Sequence, residues 1–488
     1  MEKEGREPSL LQALIPIIFL ISLLALNVIF FGDHTLDGSN QVVLILAATI
    51  AGIIAIRLGK PWEYIQSKIV KSISSAMPSI LILLMIGALA GTWMISGVVP
   101  AMIYYGLKIF HPSIFLFATV VITAIVSLAT GSSWSTVATI GIALVGIGKA
   151  LGIGEGIIAG AVISGAYFGD KMSPLSDTTN LAPAMAGTDL FTHIRYMAIT
   201  TTPSIVLTMI IFLVLGFTNG YGENTADISG VLSAIDNRFN INGWLFIVPV
   251  GLITIIVLKI PPLPAILAGS LLGGAFAIIF QPHLIYEIAG NDMSFFKASY
   301  MSVLKAVYGD VSISTSNEMV NELLSTSGMA GMLNTIWLIL SAMIFGGAME
   351  SAGLLVRITG SLIRFARSTG SLVATTIATS VFFNITASDQ YISIVVPGRM
   401  YAETYRKRGL KPEVLSRTLE DGGTITSVLV PWNTCGATQS RVLGISTMTY
   451  FPYAFFNLIN PFMAILIASV GYKIRKFKED EVQEKNGK

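Results

Sequence analysis

Two aspartates and a lysine interrupt a stretch of this chain that is otherwise apolar enough to lie within a membrane. Residues 169–183 read GDKMSPLSDTTNLAP and carry Asp170, Lys171 and Asp177. An ionisable side chain at the bilayer centre costs about 2.5–3.5 kcal/mol on insertion scales, so three in one segment predict a functional site. Pro174 also interrupts the helix, which a membrane tolerates only where the freed backbone lines a cavity or contacts protein.

The same stretch is rich in oxygen atoms that suit a small, hard cation. Its hydroxyl and amide groups belong to Ser173, Ser176, Thr178, Thr179 and Asn180. Discontinuous membrane helices are a common place for such ligands. We therefore predict that Asp170 and Asp177 bind a sodium ion or a proton, with the three residues after Asp177 as further ligands. Lys171 is either the charge partner of an aspartate, displaced when sodium binds, or a side chain that extends to the membrane interface. One lysine cannot neutralise both aspartates.

Composition places the chain among all-α polytopic membrane proteins. Of its 488 residues, 53% are hydrophobic and 12% are charged, whereas soluble proteins carry about 25% charged residues. Cys435 is the single cysteine, and the four histidines lack the spacing of a metal site. We expect a multi-pass protein in a lipid bilayer, with no cofactor, no nucleic-acid partner and no enzymatic activity.

Lysine and arginine mark the cytoplasmic side of the loops. Basic residues are concentrated after the second apolar run, between residues 399 and 417, and after residue 472. These segments are predicted to be cytoplasmic, and the acidic first loop and residues 220–242 external. The first apolar run, 10–31, is interpreted as an uncleaved helix. Both termini are then cytoplasmic, with residues 473–488 as a polar tail.

The charge pattern also predicts a re-entrant hairpin. The segment 371–397 has cytoplasmic charge at both ends, so it must enter and leave the membrane on one side. Its first arm, to Phe383, has about 13 residues, or ~20 Å, which is short of a ~30 Å hydrocarbon core. A matching hairpin is expected at about 114–147, entering from outside.

Corresponding residues recur at a nearly constant spacing in the two halves of the chain. Thr130 and Thr386 are 256 positions apart (386 − 130), and Pro174 and Pro431 are 257 apart (431 − 174). The two halves begin on opposite sides of the membrane, so the pattern predicts an inverted-topology repeat with two re-entrant hairpins and two broken transmembrane helices.

The predicted division of the chain follows from this repeat. The first repeat comprises residues 1–219, with a broken helix at about 155–190. Residues 220–242 form an external linker. The second repeat comprises residues 243–472, with an external insertion at about 281–331 and a broken helix at about 412–440. Helical spacing within the insertion predicts a short interfacial helix near residues 296–307.

The hairpin tips and the second broken helix supply further candidate ligands. Neutral or charged oxygens are expected from Ser132, Ser133, Ser388, Asp389, Asn433 and Thr434. Glu420 and Asp421 lie about one turn inside the basic cytoplasmic cluster. Of a proton pathway and a solvated ion pair with Arg417, the sequence favours the ion pair.

Three motifs carry a resemblance to a known family. They are GDKMSPLSDTTNLAPAMAGTDLFTHIRYM at 169–197, ATGSSWST at 129–136 and VPWNTCGA at 430–437. Together they resemble the NhaC-type sodium:proton antiporter family of the ion transporter superfamily. The resemblance implies sodium/proton exchange by alternating access across a bacterial cytoplasmic membrane, and often a homodimer. Sodium is then a transported substrate rather than a cofactor.

Alternatives to sodium/proton exchange remain open at this point. Some relatives in the family exchange organic acids such as malate and lactate together with sodium and protons. An anionic substrate needs a fixed cation or a helix N-terminus nearby, and Lys171 is the one deeply placed cation that the sequence indicates. An intramembrane aspartyl protease would resemble GxGD, but residues 167–170 read YFGD. A channel is disfavoured because broken helices in inverted repeats serve alternating access.

Overall fold

The first half of the chain consists almost entirely of helices. A computed structural model describes residues 7–31, 38–218, 228–290, 292–315, 317–362, 364 and 366–477. The helices of the first half are α1 Leu10–Phe31, α2 Ser39–Arg57, α3 Trp62–Ile95, α4 Val98–Ile109, α5 Pro112–Thr130, α6 Ser133–Thr136, α7 Ile142–Ala150, α8 Glu155–Met172, α9 Asp177–Ala186 and α10 Leu190–Thr218. A π-helical turn, Val137–Gly141, joins α6 to α7.

The second half of the chain is also mostly helical. Its first helices are α11 Ile228–Asp236, α12 Ile247–Val257, α13 Pro262–Phe280, α14 Pro282–Ala289, α15 Phe295–Tyr308, α16 Glu318–Leu323, α17 Leu333–Ser351 and α18 Leu354–Leu362. The later ones are α19 Thr369–Thr386, α20 Ile392–Lys407, α21 Pro412–Leu419, α22 Ile425–Ser427, α23 Thr434–Leu443, α24 Thr447–Tyr450 and α25 Phe455–Val470. Short 3-10 turns lie at Gly243–Phe246, Ala330–Met332 and Phe451–Tyr453, and β1 Val311–Ser312 pairs with β2 Ser325–Thr326.

The described residues confirm an all-α, polytopic membrane protein. Eight helices are long and apolar enough to cross a membrane, or nine if the bent pair Thr447–Tyr453 and Phe455–Val470 forms one span. The arms of the first predicted hairpin, Pro112–Thr130 and Ser133–Ala150, are among the eight. Length alone therefore does not distinguish a re-entrant arm from a crossing helix in this protein.

Both predicted hairpins fold back on themselves. A Cβ on Gly148, near the end of α7, would lie 3.0 Å from the ring of Phe115, near the start of α5. In the second hairpin, the hydroxyls of Tyr401 and Thr379 lie 2.8 Å apart, and Arg408 donates to the carbonyl of Ala366. The two outer ends of each hairpin therefore lie side by side.

The first arm of the second hairpin is longer than the sequence suggested. Helix α19 has 18 residues, or ~27 Å, and not the 13 expected up to Phe383. A capping box of Ser368 and Ser371 starts the helix early. The helix also continues through Asn384 and Thr386, whose side chains find partners within the protein.

Element boundaries recur at the spacing found in the sequence. Helix α9 at 177–186 and α23 at 434–443 are offset by 257 (434 − 177), and α5 and α19 end 256 positions apart (386 − 130). Each of α9 and α23 ends in a left-handed glycine, Gly187 at φ 83° and Gly444 at φ 68°. The boundaries and the glycine caps of these elements therefore correspond at the predicted spacing.

Close packing of α5 and α8 fixes the direction of the polar end of α8. A Cβ on Gly165 would lie 2.0 Å from Thr123 Oγ1, and one on Gly169 would lie 2.4 Å from the Ala124 carbonyl. Glycine at these two positions lets the helix backbones approach each other, as small residues do in membrane helix pairs. The next residue, Asp170, is thereby directed at the tip of the first hairpin.

The insertion differs in detail from the expectation. Its predicted helix is α15, but this helix is not only a surface feature, because a Cβ on Gly91 of α3 would lie 1.7 Å from the Ala306 carbonyl. Of the predicted linker and tail, residues 219–227 and 478–488 lie outside the described part of the chain.

Candidate functional site

A cavity of about 870 Å³ lies where the break between α8 and α9 meets the tips of both hairpins. Its walls also include α3 and the loop between α12 and α13. The polar groups that line it include Thr130, Ser132, Ser135, Asp170, Ser176, Asp177, Thr178, Lys259, Gln390, Tyr391 and Thr434. Two carboxylates and several neutral oxygens thus share one cavity inside a membrane protein.

Asp170 lies on the last turn of α8, and only 7% of it is exposed. One of its carboxylate oxygens accepts hydrogen bonds from the Ser133 backbone NH at 3.1 Å and the Ser133 hydroxyl at 2.7 Å. Ser133 is the first residue of α6, and Ser132 caps that helix. The positive end of α6 therefore faces the carboxylate. Gly131, at φ 69°, allows this approach, because a Cβ there would lie 2.6 Å from that of Leu175.

Asp177 is the first residue of α9, and its side chain is exposed to the cavity. Its Oδ2 lies 3.5 Å from the hydroxyl of Tyr391, just beyond the tip of the second hairpin. Asp170 and Asp177, the two predicted ligands, both line the cavity. The helix breaks at residues 173–176, and the two helix ends bring the carboxylates to one space.

The three residues after Asp177 stabilise the break itself. The Thr179 hydroxyl donates to the Lys171 carbonyl at 3.0 Å, and the Asn180 amide donates to the Ser176 carbonyl at 2.7 Å. Thr178 shares a 3.2 Å hydrogen bond with the hydroxyl of Ser176. Of the three, Thr178 lines the cavity.

The residues predicted at the second hairpin tip and on the second broken helix form a separate group, and of these Thr434 lines the cavity. Asp389 is buried and caps α20 by accepting from the Ile392 NH at 2.9 Å. Ser388 has a left-handed backbone, φ 58°, and a buried hydroxyl with no partner among the described residues. Its carbonyl accepts from the Thr434 NH at 3.0 Å. Asn433 binds Asn384 on α19 through its amide group at 3.1 Å.

Lys171 does not pair with the aspartates near it in sequence. It points away from the cavity and forms a fully buried ion pair with Asp421. Asp421 also accepts from Asn460 Nδ2 at 2.7 Å and from the Thr200 hydroxyl at 3.2 Å. The expectation that Lys171 neutralises Asp170 or Asp177 is therefore wrong. The pair instead connects α8 of the first half to the second broken helix.

Asp421 and Arg417 lie close together as expected, but the prediction that water surrounds the pair is wrong. Arg417 Nε lies 3.8 Å from Asp421 Oδ2, but both side chains are completely buried. The guanidinium lies 4.5 Å from the ring centre of Tyr196. Glu420, on the π-helical turn Glu420–Thr424 between α21 and α22, is buried as well.

Sequence reasoning therefore underestimated Glu420, Asp421 and Arg417. The signal was present, because these residues begin the segment 412–440 that was itself predicted as the second broken helix. Charge within a membrane segment is the argument that identified Asp170. The basic residues at 399–417 obscured this signal. The loop between α20 and α21 is so short that the cytoplasmic cluster and the membrane segment adjoin in the sequence.

Discontinuous helices that meet at an acidic cavity within the membrane define the class of secondary transporters. The Na+/H+ antiporter family matches residues 165–472. The chain belongs to this family, whose members are transporters and not enzymes.

Similar proteins cover nearly the whole chain. It is 37% identical to the malate-2H(+)/Na(+)-lactate antiporter of Bacillus subtilis over 99% of both chains. It is 36% identical to the Na(+)/H(+) antiporter NhaC of Alkalihalophilus pseudofirmus, over 94% of this chain and 96% of that one. It is 30% identical to the arginine/ornithine antiporter ArcD of Halobacterium salinarum, over 99% of this chain and 96% of that one.

Proposed function

We propose that Asp170 and Asp177 form the shared binding site at which this antiporter exchanges sodium ions for protons. The supporting observation is that two carboxylates, one on each side of the break between α8 and α9, line one cavity. Ser132, Thr178 and Thr434 line it too, and their neutral oxygens complete a ligand set of the kind that small hard cations prefer. Sodium and a proton compete for the same carboxylates, so the site carries sodium in one direction and a proton in the other.

The proposed topology is an inverted repeat that alternates access to this site. The ends of the second hairpin lie near the C-terminal segment, where the Lys411 NH donates to the Arg475 carbonyl at 3.0 Å. The ends of the first hairpin lie near the opposite set of loops, since a Cβ on Gly156 would lie 2.4 Å from the Thr449 carbonyl. Entry of the two hairpins from opposite sides is the pattern of an inverted repeat.

The lining of the cavity indicates from which side of the membrane ions reach the binding site in this conformation. Lys259, in the loop between α12 and α13, and Ser74, in the basic first half of α3, both line it. The positive-inside rule places these segments in the cytoplasm. The conformation is thus open to the inside of a bacterial cytoplasmic membrane. Both termini are cytoplasmic, and the protein is proposed to form homodimers.

Sodium alone is expected to drive proton movement. In acid-loaded proteoliposomes that contain a pH dye, external sodium chloride should raise the internal pH, because inward sodium movement expels protons. Potassium should act poorly, because the site is small and rich in carboxylate. A pH response to malate or lactate in the absence of any response to sodium alone would overturn the cation-only reading.

Exchange of organic acids coupled to sodium and protons is the second candidate. It is supported by the similarity to the malate/lactate antiporter, and by Lys259, a fixed cation at the cavity that the sequence did not indicate. Sodium-driven uptake of labelled malate into lactate-loaded vesicles would establish it. Loss of that uptake in Lys259→Gln, with sodium/proton exchange retained, would assign the anion to this lysine.

The second hairpin is expected to be accessible from the cytoplasm at both ends. Single cysteines at Arg367 and Lys407, both exposed, are introduced in a Cys435→Ser background. Both should react with a membrane-impermeant maleimide in inside-out vesicles and not in right-side-out ones. A cysteine at exposed Asn237, in the proposed external linker, should show the reverse. Labelling of Arg367 and Lys407 positions from opposite sides would refute the proposed topology.

A further inference from the structure

Glu420 is a buried carboxylate without a partner. It lies on the π-helical turn between α21 and α22, and neither of its oxygens makes a hydrogen bond within the described residues. Its neighbour Asp421 has Lys171, Thr200 and Asn460 as partners. An ionised carboxylate that is fully buried and unpaired is unfavourable by several kcal/mol. Glu420 is therefore neutral, and holds a proton, in this conformation.

The charged groups near Glu420 come from three elements. Lys171, preceded by Asp170, reaches Asp421 from α8, Arg417 on α21 lies 3.8 Å from Asp421, and Asp421 follows Glu420 on its own turn. Helices α19 and α25 carry no titratable residue. The buried tyrosines of α20 hydrogen-bond to threonines of α19, and α9 contributes only Asp177, which is exposed to the cavity. The guanidinium nitrogens of Arg417 make no hydrogen bond within the described residues.

This arrangement can relay the occupancy of the cavity to the buried carboxylate. Asp170 lines the cavity and is followed by Lys171, which pairs with Asp421 beside Glu420. When the competing proton is held on Asp177, an ionised Asp170 repels a negative charge on Glu420 and favours the protonated form of Glu420. A sodium ion at Asp170 cancels this repulsion, and Lys171 or Arg417 can then pair with the ionised Glu420.

We propose that Glu420 carries an exchanged proton in addition to the one that competes with sodium at Asp170 and Asp177. Sodium binding in the cavity releases that proton to water, and sodium departure restores it. Glu420 thus sets the number of protons moved per sodium ion. The inference rests on the proposed sodium/proton exchange and adds a second ionisable site to it.

The test measures coupling separately from transport. Wild-type protein, Glu420→Gln and Glu403→Gln are reconstituted, the last as a control because Glu403 is exposed on α20 and pairs with Lys407. Exchange of labelled sodium for unlabelled sodium should persist in all three. With the membrane voltage clamped at zero, the sodium gradient that stops net flux reports the proton to sodium ratio. Under an imposed tenfold proton gradient, the sodium gradient that stops net flux should be about tenfold smaller for Glu420→Gln than for the wild-type protein, because one proton fewer moves per sodium ion.

The outcomes separate the two proposals. A wild-type protein that moves no protons with sodium refutes the proposed function itself. A wild-type ratio in Glu420→Gln, or loss of sodium–sodium exchange in a folded Glu420→Gln protein, refutes the role of Glu420 alone. Should the glutamine variant fail to fold, Glu420→Asp decides, because it keeps a titratable group. It should retain the wild-type ratio, and a reduced ratio would refute the inference.

Discussion

Asp177→Asn is expected to abolish sodium-driven pH change, reducing it to the level of protein-free vesicles. Asparagine keeps the shape and one carbonyl oxygen of aspartate but removes the charge that binds sodium or a proton. Asp170→Asn should abolish exchange or weaken sodium affinity severely, while its carbonyl oxygen can still accept from Ser133 and preserve the contact with α6. Initial rates with an internal pH dye, at matched protein per vesicle, measure both effects.

Asp189→Asn is the matched control. Asp189 caps α10 by accepting from the Thr192 NH at 2.9 Å, and asparagine is as good an N-cap as aspartate. Hydrogen bonds from Thr192 lower the pKa of the Asp189 carboxyl, so this residue stays ionised where an exchanger must titrate. Its variant should transport normally. Near-normal exchange by both Asp170→Asn and Asp177→Asn would sink the proposed site, and Asp389 would become the coupling carboxylate.

Breaking the buried pair of Lys171 and Asp421 should have the largest effect on stability. Lys171→Met leaves Asp421 with Thr200 and Asn460 but without its nearest cation. Removal of one partner from a buried ion pair costs about 3–5 kcal/mol. The combination of Lys171→Met with Asp421→Asn should recover part of that loss, since both charges of the pair are removed and only Arg417 is left without its carboxylate. Thermal unfolding is followed by tryptophan fluorescence for the wild-type protein, the two single variants and the double variant. These four measurements form a double-mutant cycle that gives the coupling between Lys171 and Asp421.

An exposed pair of the same chemical type serves as the comparison. Lys68 and Glu350 lie 2.8 Å apart on α3 and α17, and both side chains are partly exposed. Their removal should cost about 0–1 kcal/mol, because solvent screens such pairs. Additive effects of Lys171→Met and Asp421→Asn, with no coupling between them, would show that Lys171 acts through another group.

Local chemistry was readable from the sequence alone. The polar stretch 169–183 and the proline within it predicted a helix break with two carboxylates, and the structure places the break at residues 173–176. Such features depend on residues a few positions apart, because proline, glycine and N-cap serine act on the nearest turn of backbone. The repeat was predicted from local signals of the same kind, which recur at offsets of 256 and 257.

Tertiary structure alone decided how the charges are paired. Asp170 and Lys171 are neighbours in sequence, but successive residues on a helix point about 100° apart. One therefore meets the tip of the first hairpin, and the other meets Asp421, 250 positions further along the chain. The sequence shows which charges lie within the membrane, because hydropathy is a property of each segment. Which charges meet depends on the packing of distant helices, and no local pattern encodes that.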